Sequence, residues 1–291
     1  MEKVLVVGAG FMGAGIAQVC AQAGYQVHLS DVKQDVLDRA IKEIKWSVEK
    51  LTEKGMLDES SEVVLNRIFL ESDLKSAGLA NWVIEAAFEK EDLKKEIFQE
   101  LDRLAPVKTP LATNTSTIPI SRIAAVTRAP ERVLGLHFFG PVPLMDIVEV
   151  VNGVKTSSEV FEQGYAFVKT LGKRPVQVRQ DIPGFAMNRI FQAAFREAVD
   201  LVDRGIVTPE EVDTGMKLGY GWNAGPFEIG DNAGLDTFLL ICRSLKDLGE
   251  EGLCPRSDLI ERMVEKGSKG RKSGKGFYRY TPDGKKVSAS I

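Results

Sequence analysis

The sequence predicts an α/β protein with a mostly parallel sheet domain in its first half and a smaller all-helical domain after it. Three observations predict it. Apolar, β-branched bursts alternate with helical spacing through the first half, a glycine-rich turn joins the first burst to the first helix, and no strand pattern of length reappears after Asp181. Alternating β and α units with short connections imply parallel strands covered on both faces.

Strand-like bursts fall at residues 4–7, 26–30, 68–70, 82–86, 111–113 and 133–138. Helical spacing occupies 12–23, the long charged segment 34–54, and 93–104. Two more strand-like runs, 146–151 and 175–178, flank a helix at 159–171. Beyond Asp181-Ile182-Pro183-Gly184 a helix fits 185–204, with Pro183 near its start and Gly205 at its end. Further helices fit 209–218, 235–248 and 257–266. The domains are therefore expected at residues 1–182 and 183–291.

A chain of 291 residues is long enough for two packed domains. Its apolar fraction of 44% and charged fraction of 27% are those of a soluble globular protein. A net charge of −3 supplies no basic field to draw it to nucleic acid or an anionic membrane. No apolar run approaches the roughly 18 residues that cross a bilayer. Cys20, Cys242 and Cys254 are scattered and odd in number, without metal-ligand spacing, and read as packing residues in a reducing compartment. No basic or Arg-rich leader precedes Val4-Leu5-Val6-Val7, so the expected location is cytoplasmic.

The 34–54 segment carries Lys42, Glu43, Lys45, Glu49, Lys50, Glu53 and Lys54. A solvated helix face is the usual fate of such a run, and the pattern alone favours it. The sharper reading is an arm, about residues 34–60, projecting beyond the sheet so that lysines meet a phosphate-bearing substrate.

Gly8, Gly10 and Gly13 form a GxGxxG turn between a strand and a helix. Gly8 permits the tight turn, Gly10 lets a pyrophosphate approach the backbone, and Gly13 lets helix and strand pack closely. The helix N-terminus then offers free N–H groups and a partial positive charge. Asp31 ends the second strand about 20 residues on, where an acid accepts hydrogen bonds from the adenosine ribose and repels a 2′-phosphate. A turn that merely packs two elements would not need this context. The first domain is thus a Rossmann-type NAD-binding domain, with Lys33 able to soften the preference for NAD over NADP.

Of two histidines, His28 lies within a strand and reads as structural, whereas His137 lies at the end of the 133–138 run. Ligands of open α/β sheets bind beyond the carboxyl ends of strands. Oxidising a secondary alcohol requires a base for the hydroxyl proton, and an imidazole suits both directions. Glu149, an acid inside Ile147-Val148-Glu149-Val150-Val151, needs a partner if buried and is the candidate to orient it. Asn114-Thr115-Ser116-Thr117 follows another strand, and would either cap a helix or bind the substrate oxygen and nicotinamide amide. Asn188 starts the helical domain inside an apolar turn, where its amide wants a partner or a ligand.

The stretches GAGFMGAGIAQ, VIEAAFE, ATNTST, GLHFFGPVPLMDIVEVV, DIPGFAMNRI, LGYGWNAGPFEIGDNAGLDT and SGKGFY closely resemble the 3-hydroxyacyl-CoA dehydrogenase family, most of all its short-chain 3-hydroxybutyryl members. The resemblance implies that His137 is the acid/base, Glu149 its partner, and Ser116 and Asn188 hydrogen-bonding groups for the reacting oxygen and the histidine. It sets Glu89, Lys94 and Asn114 near the cofactor. Ser47 and Lys54 match positions that contact the CoA portion, which reverses the weighing of the arm. It further implies an (S)-specific reaction on acyl-CoA and a homodimer formed through the helical C-terminal domain. Two positions depart from the family pattern: Gly140 replaces the asparagine of HFFNP, and Asp146 stands where Lys or Arg is common.

Two other functions remain open at this level. A dehydrogenase of a small free hydroxy acid, of the gulonate type, shares the plan but would not need Lys54. A non-catalytic dinucleotide-binding relative would have no physical reason to keep His137, Glu149, Ser116 and Asn188 together.

Overall fold

Strands of valine, isoleucine and leucine buried on both faces build the sheet of the N-terminal half. The computed structural model describes residues 1–290 and divides into two compact units, Met1–Ile182 and Pro183–Ile291. The first unit runs β1 (Lys3–Val7), α1 (Phe11–Gln22), β2 (Gln26–Ser30), α2 (Gln34–Glu53), α3 (Ser61–Leu65), β3 (Ile68–Glu71) and β4 (Trp82–Glu85). It continues through α4 (Glu91–Leu104), β5 (Leu111–Thr113), α5 (Ile120–Ala124), β6 (Val133–Phe138), β7 (Ile147–Val151), α6 (Ser158–Thr170) and β8 (Arg174–Val178).

These strands form one eight-stranded sheet in the order β3-β2-β1-β4-β5-β6-β7-β8. Pairing is parallel except between β6 and β7. The chain winds outward in both directions from β1, so the crevice for a ligand lies beyond the carboxyl ends of β1 and β4.

α1 is buried over most of its surface and covers one face of the sheet. The charged helix α2 buries Leu37, Ala40, Ile44, Val48 and Leu51, an apolar stripe at helical spacing that reaches its last turn. Four of these residues join the main core. The helix is therefore held to the core along that stripe. Its charges occupy the outer face.

The second unit contains α7 (Met187–Asp203), α8 (Pro209–Tyr220), α9 (Pro226–Ala233), α10 (Leu235–Asp247) and α11 (Leu259–Glu265). Phe195 sits fully buried at its centre, with the ring of Phe238 4.7 Å away, edge-on. This unit is not all helical. An antiparallel hairpin of β9 (Tyr278–Tyr280) and β10 (Lys286–Ala289) closes the chain, and strands of three and four residues are too short to show a period. The hairpin is tied to the helices by buried carboxylates. Asp231 accepts hydrogen bonds from the Phe277 and Tyr278 N–H groups and Tyr280 Oη, and Asp213 accepts from Tyr278 Oη. Among the described residues no helix is long and apolar enough to cross a membrane.

Candidate active site

The glycine loop is shaped by close approaches that exclude side chains. Gly8 has φ +96°, and a Cβ there would lie 2.8 Å from the Ala86 carbonyl oxygen. A Cβ on Gly13 would lie 1.7 Å from the Gly8 carbonyl oxygen. Gly10, the residue before α1, has open space where its Cβ would be, and caps the helix without a side-chain hydrogen bond. The first N–H groups of α1 thus face an uncrowded position suited to a pyrophosphate.

Asp31 stands just past β2. Its Oδ2 accepts the Ala9 N–H at 3.0 Å and its Oδ1 accepts the Lys33 N–H at 3.0 Å. It braces the glycine loop, and its remaining lone pairs suit a ribose diol. The residues present fit a dinucleotide.

β6 and β7 pair antiparallel with His137 directly opposite Glu149, so both side chains leave the same face of the sheet. His137 Nδ1 lies 2.7 Å from Glu149 Oε2. Glu149 is fully buried and His137 nearly so, with the Phe139 ring 4.6 Å from the imidazole. A carboxylate only accepts, so Nδ1 carries the hydrogen of this pair.

Beside them, the turn after β5 is organised from below. Glu89 Oε1 accepts from Thr115 Oγ1 at 2.6 Å, and from the Ser116 and Thr117 N–H groups at 2.9 and 3.1 Å. Burial opposes ionisation of Glu89, but the charge of Lys94 and these hydrogen bonds outweigh it and hold its carboxyl below the ordinary value. Asn114 Oδ1 accepts the Phe138 N–H at 2.8 Å, tying this turn to the strand that carries His137.

Lys94 is buried, and its ammonium reaches Glu85 Oε1 at 2.7 Å, the Ala87 carbonyl at 3.2 Å and Glu89 Oε2 at 3.5 Å. It supports the loop from inside the domain. Glu85, fully buried and also accepting from Thr113 Oγ1 at 2.7 Å, was missed by sequence reasoning. The available signal was the one that marked Glu149, an acid in an apolar strand.

Lys173 was also missed, and no local pattern marks it. Its Nζ donates to the Val142 and Met145 carbonyls at 2.7 and 2.6 Å, fixing the loop after His137. Burial pushes its ammonium pKa down, opposed first by the negative charge of nearby Asp146.

The remaining candidates lie apart from this cluster in the chain. Ser47 is half-buried on α2, and Lys54 is exposed just beyond its end. Asn188 occupies the first turn of α7, in the second unit.

Residues 3–182 match the family described as 3-hydroxyacyl-CoA dehydrogenase, NAD binding domain, and residues 184–280 match its C-terminal domain. A probable 3-hydroxybutyryl-CoA dehydrogenase of Deinococcus radiodurans is 42% identical over 96% of this chain and 100% of that protein. Among solved structures, M. tuberculosis FadB2 aligns with a TM-score of 0.91 at 38% identity, covering 97% of this chain and 99% of the other. The (S)-3-hydroxybutyryl-CoA dehydrogenase of Ralstonia eutropha aligns with a TM-score of 0.89 at 37% identity, over 97% and 99%.

Proposed function

The chain belongs to the 3-hydroxyacyl-CoA dehydrogenase family, and from that premise we propose that it oxidises (S)-3-hydroxybutyryl-CoA to acetoacetyl-CoA and catalyses the reverse reduction, with His137 and Glu149 as the acid/base pair. It is an NAD-dependent oxidoreductase. The observation that carries the reading of the pair is the 2.7 Å contact between His137 and Glu149 at the carboxyl end of β6.

NAD, when bound, supplies the acceptor for the hydride leaving the substrate's C3, and its reduced form supplies that hydride in reverse. Gly8, Gly10, Gly13 and Asp31 would hold it, the first three through backbone and Asp31 through the adenosine ribose. With Nδ1 engaged by Glu149, Nε2 is the atom that takes the hydroxyl proton during oxidation and returns it during reduction. Glu149 stabilises the imidazolium that forms. Ser116, on the turn anchored by Glu89, and Asn188 hydrogen-bond the reacting oxygen and the histidine.

Ser47 and Lys54 bind the CoA portion, the lysine as a positive charge for a phosphate. The second unit, Pro183–Ile291, forms the homodimer, and the protein works in the cytoplasm.

The test follows NADH oxidation with acetoacetyl-CoA, free acetoacetate, and NADPH in place of NADH. Turnover of the thioester with NADH supports the reading. Turnover of the free acid alone would replace it with a free-acid dehydrogenase. His137→Gln should lower kcat about a hundredfold or more, the usual share of a general acid/base. Lys54→Ala should raise KM for acetoacetyl-CoA and leave NADH binding unchanged.

A further inference from the structure

The glycine at position 140 departs from the family pattern, and its surroundings give the departure a meaning. Gly140 follows β6, three residues beyond His137. A Cβ built there would lie 2.7 Å from Phe11 Cε1, 3.5 Å from Phe11 Cζ and 3.3 Å from Met12 Sδ. The nearest obstacle is thus the Phe11 ring, and any side chain at 140 has to displace it.

The loop bearing Gly140 cannot simply recede. Lys173 holds two of its carbonyls, and Val142 packs on α1 so tightly that a Cβ on Gly15 would lie 2.8 Å from the Val142 Cβ. Phe11 is the first residue of α1, adjacent to Gly10, and its side chain is 64% exposed. A large apolar ring left in water next to a ligand-binding backbone gains by being covered when the ligand arrives. Sheet order says which end of the ligand that is. Asp31 follows β2, on one side of β1, whereas Gly140 follows β6, on the other side. The ring therefore belongs to the reacting end of the crevice, away from the adenosine.

We propose that Phe11 and Gly140 form a matched pair in which the missing side chain at 140 holds the Phe11 ring where it packs against the nicotinamide half of NAD. Phe11 is a cofactor-binding residue, and Gly140 is the positioning residue that makes room for it. The proposal rests on the dinucleotide reading of the glycine loop, which Asp31 tests separately.

The experiment titrates the full-length protein with NADH by fluorescence, and with ADP-ribose, which lacks nicotinamide, as a displacing probe. Phe11→Ala and Gly140→Asn should each raise Kd for NADH about three- to tenfold, the loss of one aromatic contact. ADP-ribose should change less than about twofold in both. The Phe11→Ala/Gly140→Asn double variant should bind NADH no worse than the weaker single one, because both remove the same contact. In turnover, Phe11→Ala should raise KM for NADH.

Equal weakening of NADH and ADP-ribose would overturn the proposal, since the variants would then be deforming the loop. So would fold-changes that multiply in the double variant, or unchanged NADH binding in Phe11→Ala. Asp31→Ala should weaken NADH and ADP-ribose together. If it weakens neither, the dinucleotide site itself is misplaced, and the pair falls with it for that separate reason.

Discussion

Glu149 and Glu85 are carboxyls set in strands of apolar side chains, and both are fully buried. His137 Nδ1 lies 2.7 Å from the first, and Lys94 Nζ and the Ala87 N–H each lie 2.7 Å from the second. The shared geometry has different consequences. Glu149→Gln keeps the shape but removes the charge that stabilises an imidazolium, so kcat should fall on the order of a hundredfold or more with little change in thermal stability. Steady-state kinetics at saturating substrates check this, and near-normal turnover would remove Glu149 from the acid/base pair. Lys94→Met strands a buried carboxylate and should destabilise the protein by about 3–5 kcal/mol in urea unfolding. Adding Glu85→Gln should restore part of that loss, because the uncompensated charge is gone.

At the scale of elements, the turn after β5 is a loop made rigid by one acceptor. Glu89 gathers the Thr115, Ser116 and Thr117 donors that the turn would otherwise present to water. Glu89→Ala should therefore let Ser116 wander and lower kcat roughly ten- to a hundredfold, the effect of misplacing a group near the reacting atoms. NADH affinity, measured by direct titration, should move much less. A large loss of NADH affinity instead would make Glu89 a direct cofactor ligand. Its depressed pKa also sets a direction: the stability it contributes is present above its unfolded value and is lost as pH falls through the folded one.

Across the whole molecule, the second unit carries ionisable groups of opposite sign dependence. Burial raises the pKa values of Asp213 and Asp231 despite the hydrogen bonds each accepts. Their contribution to stability is complete below the unfolded value and declines as pH rises through the raised one. Burial also opposes ionisation of Glu228, but Lys286 and Lys217 more than offset it and hold its carboxyl at about 2. That contribution is present above the ordinary glutamate value and is lost as pH falls toward 2. Glu228→Gln should accordingly lower Tm at pH 7, and the gap from wild type should narrow in acid. A gap that stays constant between pH 7 and pH 3 would show that the ion pairs contribute nothing. The sequence by itself determined the alternation of strands and helices, because local periodicity and turn chemistry act over a few residues and need no distant partner. It likewise marked the glycine loop, Asp31 and the buried acid Glu149, each by a residue type unusual for its surroundings. Register, a relation between segments far apart in the chain, was decided only in three dimensions. It put His137 opposite Glu149, laid α2 down against the core, gave Lys94 and Lys173 their buried partners, and filled the space at Gly140 with the ring of Phe11.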